Sequence, residues 1–126
     1  MAEFLQPPNS RHVNAGASSR LRARLRDFDD EVLPKSAITG LMLTIKDEAG
    51  NVINSRNEQP ILDMNNGSLA EDGWVTIKLQ PADNALQSTT EKVEWHYVQL
   101  VWTWRDDDLD EQRGEHDWQI QIRELV

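Results

Sequence analysis

The stretch that decides the fold is residues 93–104, which read VEWHYVQLVWTW. Successive side chains of a β-strand point to opposite faces, so a strand sorts its residues by alternation. One face carries His96, Val98, Leu100, Trp102 and Trp104. The other carries Trp95, Tyr97, Gln99, Val101 and Thr103. Residues 93–104 are therefore predicted to form one long strand with a strongly apolar face.

A second alternating segment follows at residues 115–123, which read EHDWQIQIR. Its Trp118, Ile120 and Ile122 share a face, and an acidic loop at residues 105–114 separates the two segments. This pattern predicts an antiparallel hairpin with a long loop. A buried tryptophan removes about 150–250 Å² from water. Trp102, Trp104 and Trp118 are therefore predicted to lie in the core.

The rest of the chain also favours strands. Alternation marks residues 20–26, 38–46, 52–54 and 74–79, and residues 60–64 fit either a short edge strand or one helical turn. Turn residues occupy 47–51 and 65–68, and residues 81–86 break the pattern. The prediction is an all-β domain over residues 20–126, an antiparallel β-sandwich of about seven strands.

The beginning of the chain has a different character. Residues 1–19 contain Pro7-Pro8 and the small residues 15–19, which predict a flexible N-terminal arm. We expect the arm to anchor the protein to a neighbour through Phe4, Leu5 and Arg11. The strand at 20–26 alternates arginine with apolar residues. Its Arg20, Arg22 and Arg24 form either a solvated face or a contact with an acidic neighbour.

Charge and composition exclude several classes of function. Residues 1–26 carry five arginines and one acid, whereas the remainder carries 8 basic and 21 acidic side chains. An acidic body repels nucleic acid, so sequence-specific nucleic-acid binding is not expected. The chain has no cysteine, which excludes disulfides and thiolate metal sites. No apolar run reaches the roughly 20 residues that span a bilayer, so no membrane partner is expected.

Neither histidines nor carboxylates suggest catalysis. Asp106, Asp108 and Asp110 have the opening spacing of a calcium loop, but Glu111 stands where the EF-hand requires glycine. His96 and His116 could face each other across the hairpin and bind a metal, yet no third ligand is apparent. No serine lies in either histidine strand. The sequence therefore predicts a protein that is not an enzyme and has no cofactor.

Trp95 and Tyr97 remain unexplained by the core, because they lie on the opposite face of their strand. A sheet face in contact with water is expected to be polar. Either the N-terminal arm folds across this face, or another subunit covers it, since exposed aromatic patches mark interfaces.

A resemblance covers Ile38 to Leu125. Its features are a strand at 41–47, the segment 50–54, the strand 74–79, and Leu79-Gln80-Pro81-Ala82-Asp83-Asn84, which looks like an "L-x-P-x-D-N" step. Glu94-Trp95-His96, Trp102-Thr103-Trp104 and the closing segment 116–122 follow. In order and spacing these resemble small virion structural proteins of tailed bacteriophages. They are similar to the amino-terminal, immunoglobulin-like domain of baseplate upper proteins.

The resemblance implies a bacteriophage structural protein, made in the host bacterial cytoplasm and located in the virion. It implies contacts at the head-tail connector, neck, tail or capsid surface, with portal, adaptor, capsid or tail components as partners, and a homo-oligomer. It carries no catalytic residues. One alternative is a carbohydrate- or receptor-binding module in which Trp95 and Trp74 stack on sugars. A metal-dependent enzyme is a third hypothesis.

Overall fold

Eight β-strands form two sheets that pack face to face in the computed structural model, which describes residues 10–88 and 92–124 and omits the side chains of residues 10 and 11. The strands are β1 (Ser10–Asn14), β2 (Ser19–Arg24), β3 (Ile38–Asp47), β4 (Gln59–Pro60), β5 (Gly67–Leu69), β6 (Trp74–Leu79), β7 (Val93–Arg105) and β8 (Glu111–Arg123). The large sheet has the order β1-β8-β7-β3-β4, and the small sheet has the order β2-β6-β5.

This strand order confirms the predicted all-β sandwich. An immunoglobulin sandwich places its strands B, E and D in one sheet and its strands C, F and G in the other. The small sheet β2-β6-β5 corresponds to B-E-D, and the large-sheet strands β3-β7-β8 correspond to C-F-G, with the two-residue β4 as an additional strand. The sandwich is not fully antiparallel as predicted, because β1 pairs with β8 in parallel and makes the large sheet mixed.

The hairpin of β7 and β8 forms the centre of the large sheet, with pairing that is continuous from Val93–Arg123 to Arg105–Glu111. The connection is shorter than the predicted loop over 105–114. It shortens because Asp106 Oδ1 accepts hydrogen bonds from the backbone N–H groups of Asp108 (2.9 Å) and Asp110 (3.0 Å). The chain therefore reverses within a few residues.

The predicted core is confirmed. Trp102, Trp104 and Trp118 are 6%, 4% and 1% exposed. They pack with the inward residues of both sheets, among them Leu21, Leu43, Val75, Ile77, Leu100 and Ile120. Burying a side chain of this size contributes roughly 1.5–3 kcal/mol or more, so these alternating patterns determine which face of each strand points inward.

Short elements differ most from the sequence prediction. Residues 52–54 do not form a strand; Val52 makes only one bridge, to Lys46. Residues 60–64, which fitted either a short edge strand or one helical turn, contribute only Pro60 to a strand, the two-residue β4. Residues 65–68 were predicted as a turn, but Gly67 and Ser68 already belong to β5. Two or three residues give too little alternation to be recognised.

A buried ion pair holds together the loops at one end of the sandwich. Arg56 is 3% exposed and Asp83 is 1% exposed. Their side chains form a bidentate pair, with Nε–Oδ1 at 2.6 Å and Nη2–Oδ2 at 3.0 Å. The next residue, Asn84, donates its amide to Ala17 O at 2.7 Å. The Asp83-Asn84 step thus fixes two loops by side-chain hydrogen bonds.

The part of the predicted arm that the structure describes lies against the sandwich. Ser10–Asn14 is β1, with Arg11 opposite Ile120 and Val13 opposite Ile122. Gly16, in the connection between β1 and β2, donates its backbone N–H to Asn84 O at 2.9 Å. Residue 19 already belongs to β2.

Candidate protein-binding faces

The outward side of the small sheet carries the cations of β2 and β6. Because Leu21, Ala23, Val75 and Ile77 are buried, the alternate residues point away from the core. The outward set consists of Arg20, Arg22, Arg24, Trp74 and Lys78, together with Thr76. We call Arg20, Arg22, Arg24, Trp74 and Lys78 the basic face.

Two arginines of the basic face stack on its tryptophan. The guanidinium carbon of Arg22 lies 4.6 Å from the centroid of the Trp74 ring, and that of Arg24 lies 5.7 Å from it. Arg24 also donates from Nε to Asp72 O at 3.2 Å. Stacking holds the two guanidinium groups in place and leaves their other N–H donors available for an anion.

A groove of about 580 Å³ adjoins the basic face. On one side it is lined by Arg22, Arg24 and Trp74. On the other it is lined by residues of the large sheet, including Arg113, His116 and Trp118. Since β2 is an edge strand of the small sheet, the groove lies along an open side of the sandwich. Phe28, 67% exposed, also lines the groove.

The outward side of the large sheet carries an apolar stripe along β7. Val93 and Tyr97 are 45% and 43% exposed, and Trp95 between them is half-buried. We call Val93, Trp95 and Tyr97 the aromatic stripe. Val101, predicted to belong to the same surface, is 5% exposed and is therefore covered by its neighbours. The exposed apolar surface is thus shorter than the sequence indicated.

Polar side chains border the aromatic stripe. Tyr97 lies between Lys46 of β3 and Gln119 of β8, and Trp95 lies opposite Gln121. A shallow cavity of about 380 Å³ is lined by Tyr97, Lys46 and Gln119. An apolar centre with a polar rim is the usual composition of a protein interface.

The structure separates the predicted contact residues into two groups. Arg20, Arg22 and Arg24 lie together on the small sheet, whereas Trp95 and Tyr97 lie on the opposite side of the sandwich. Phe4 and Leu5 lie outside the described residues. The backbone of Arg11 belongs to β1, but its side chain is not described.

The two histidines of the hairpin do not face each other, although the sequence left that arrangement open. His96 pairs with Ile120, and His116 pairs with Leu100, which places them at different levels of the ladder. His96 is 1% exposed, and its Nε2 lies 2.5 Å from Glu94 Oε2. Within residues 10–88 and 92–124, no three His, Asp or Glu side chains are placed to hold a metal ion.

Glu94 uses its carboxylate to order the chain before β7. Its Oε1 accepts hydrogen bonds from the backbone N–H groups of Gln87 (2.9 Å) and Ser88 (3.1 Å). Burial raises the pKa of Glu94, but these two hydrogen bonds and the contact with His96 outweigh it and lower the pKa below its ordinary value. The buried Glu94–His96 pair thus has structural partners for both carboxylate oxygens.

Lys78 and Trp74 are the site residues that sequence reasoning did not connect to the arginines. The alternation of 74–79 already places both on one face of their strand. Their position beside β2 depends on the pairing of Arg20 with Lys78 and of Arg24 with Trp74. That pairing joins distant parts of the chain, and no local pattern reports it.

Comparisons of the chain with protein-family models, with curated proteins and with solved structures find no match. In the part of the chain that the structure describes, no helix is long and apolar enough to cross a membrane. The resemblance to phage virion proteins therefore remains a prediction from sequence motifs.

Proposed function

We propose that this protein is a non-catalytic structural component of a tailed-bacteriophage virion, which works by binding neighbouring proteins through two separate faces. The observation that carries the proposal is the position of those faces. The basic face and the aromatic stripe lie on opposite sides of one sandwich. A domain with two opposed faces can contact two neighbours at once, which is the requirement for a component of an assembly.

The chemistry of the faces supports protein partners. The aromatic stripe joins half-exposed apolar groups to a polar rim, as interfaces do. The basic face is a local cluster of cations on a chain whose net charge is −9. Such a local reversal of charge steers and orients an acidic partner. The virion setting is supported by the order of the sequence motifs, which resembles that of phage virion proteins. The proposed neighbours are further copies of this chain in a homo-oligomer and portal, adaptor, capsid or tail proteins.

Mass spectrometry of particles tests the virion setting. Virions purified from the phage or prophage that encodes this chain are expected to contain it in a constant ratio to the capsid protein. Its absence from particles that lack contaminating host proteins would contradict the proposal.

Complementation tests the aromatic stripe. Particles assembled with a Trp95→Ser, Tyr97→Ser chain are expected to incorporate less of it than of the original chain. Met64→Ser is the matched control, because Met64 is 51% exposed and lies away from the stripe. Equal incorporation of both variants would show that the aromatic stripe is not a contact in the particle. Deletion of residues 1–9, which leaves β1 in place, tests the anchoring arm in the same assay.

A carbohydrate- or receptor-binding module is the second candidate, supported by the exposed Phe28 and the half-buried Trp74 that line one groove. Arg22 already lies over the Trp74 ring, so a sugar would have to displace it. Titration of glycan mixtures with the protein and with Trp74→Ala tests this function. Binding that disappears in Trp74→Ala, with normal incorporation into particles, would favour the second candidate.

A further inference from the structure

The cations of the basic face have no ion-pair partner in the part of the chain that the structure describes. Arg20 pairs directly with Lys78 across β2 and β6, and like charges in such a position destabilise a sheet. Within residues 10–88 and 92–124, no carboxylate forms an ion pair with Arg20, Arg22, Arg24 or Lys78. An anionic partner at this face would remove the repulsion.

The end of the β7–β8 hairpin has the complementary composition. Residues 106–111 read DDDLDE, and we call them the acidic tip. Asp107, Asp108, Asp110 and Glu111 are exposed. Leu109 is 72% exposed and has a φ of 63°. The left-handed backbone is unfavourable for leucine, and it holds an apolar side chain out at the end of the hairpin.

The acidic tip is an ordered projection. Asp106 directs both carboxylate oxygens inward, Oδ1 to the backbone N–H groups of Asp108 and Asp110 and Oδ2 to Gln112 Nε2 at 2.9 Å. Arg105 Nη1 donates to Leu109 O at 3.1 Å. The remaining carboxylates and the leucine side chain thus project from a fixed backbone, so binding them costs little ordering entropy.

We propose that the acidic tip of one copy docks on the basic face of a second copy. This inference rests on the proposed function, in that it names the occupant of one of the two faces. The carboxylates of Asp107, Asp108, Asp110 and Glu111 would pair with the guanidinium groups and with Lys78. Leu109 would contact Trp74 and Phe28, which line the adjoining groove. The acidic residues that also line it, Asp27, Asp30 and Glu115, are held by hydrogen bonds or ion pairs within their own chain.

Charge complementarity favours a second copy. Two copies with a net charge of −9 repel each other over most orientations. Tip-on-face docking is an orientation that brings opposite charges together. The two surfaces are different, so the contact is head-to-tail, and a series of copies can continue in a closed ring or an open filament.

Charge reversal tests the contact. Sedimentation velocity of the full chain is expected to show self-association that weakens at least about tenfold in Arg22→Glu/Arg24→Glu and in Asp107→Lys/Asp108→Lys, since each variant opposes like charges. Mixing the two variants restores the attraction, and association is expected to return. Circular dichroism confirms that each variant is folded. Unchanged association in both variants would overturn the proposal.

Carbodiimide coupling locates the contact. This reagent links an amine to a carboxylate only when the two touch, and Lys78 is the amine of the basic face. Peptide mapping is expected to join Lys78 to the acidic tip of another copy, and Lys78→Arg, which keeps the charge, is expected to abolish that link. An original chain that is monomeric at every concentration would also overturn the proposal. It would leave the virion setting to be decided by particle composition, with a different acidic protein as the occupant.

Discussion

Removal of Arg56 is the most direct test of how this sandwich holds its loops. The guanidinium of Arg56 uses all of its N–H donors: two on Asp83, and three on Gln59 Oε1, Asn65 O and Asn66 Oδ1. Asp83 is 1% exposed, so Arg56→Met leaves a buried carboxylate without a counter-charge. Breaking a buried ion pair in this way costs about 3–5 kcal/mol.

That loss is a large share of the free energy of unfolding, which for a domain of this class is about 5–15 kcal/mol. A domain of this length loses about 3–6 °C in Tm per kcal/mol, so Arg56→Met is expected to unfold roughly 10–30 °C lower. Urea denaturation followed by tryptophan fluorescence gives the free energy, and calorimetry gives the Tm.

Two further variants separate charge from shape. Arg56→Lys keeps the positive charge but loses the bidentate geometry, so its destabilisation is expected to lie between that of Met and zero. Combining Arg56→Met with Asp83→Leu removes both charges. The double variant is expected to be more stable than the sum of its single changes by about 2 kcal/mol. A loss below about 1 kcal/mol for Arg56→Met would refute the reasoning.

Three other predictions concern a strained turn, a close contact and a buried acid. Leu109→Gly is expected to raise the free energy of unfolding by up to about 1 kcal/mol because it relieves a left-handed leucine. Gly50→Ala, at a φ of 87° in open space, is expected to lower the free energy of unfolding by a similar amount. Urea denaturation measures both, and a loss of stability in Leu109→Gly or a gain in Gly50→Ala would contradict the strain. Gly114→Ala places a Cβ 2.5 Å from Trp102 Cε2, so we expect a loss of about 1–3 kcal/mol and an altered near-ultraviolet circular dichroism signal, and an unchanged signal would mean that the two groups are not in contact. The pKa of Glu94 is lowered on folding, so its contribution to stability is complete above its ordinary value of 4.5 and is lost as the pH falls through the folded pKa. Glu94→Gln is therefore expected to weaken the dependence of unfolding free energy on pH below 4.5, and an unchanged slope would exclude this contribution.

Alternation of side chains predicted the parts of the fold that are longest and most apolar. The inward faces of β6, β7 and β8 were assigned correctly because each buried tryptophan, leucine or isoleucine removes a large apolar area from water. The same argument placed Arg20, Arg22 and Arg24 on the outward face of their strand. It failed for β4 and β5, since those strands are too short for a period to show.

The functional surfaces followed the same division. The sequence by itself determined that Trp95 and Tyr97 lie away from the core side of their strand and that β2 presents arginines outward, because both follow from the alternation of one strand. Only the tertiary structure decided that these two groups lie on opposite sides of the molecule and that Lys78 and Trp74 lie beside the arginines. It also decided that Asp83 forms an ion pair with Arg56. The physical reason is that strand pairing and loop packing bring together residues far apart in the chain, and local periodicity carries no information about such contacts.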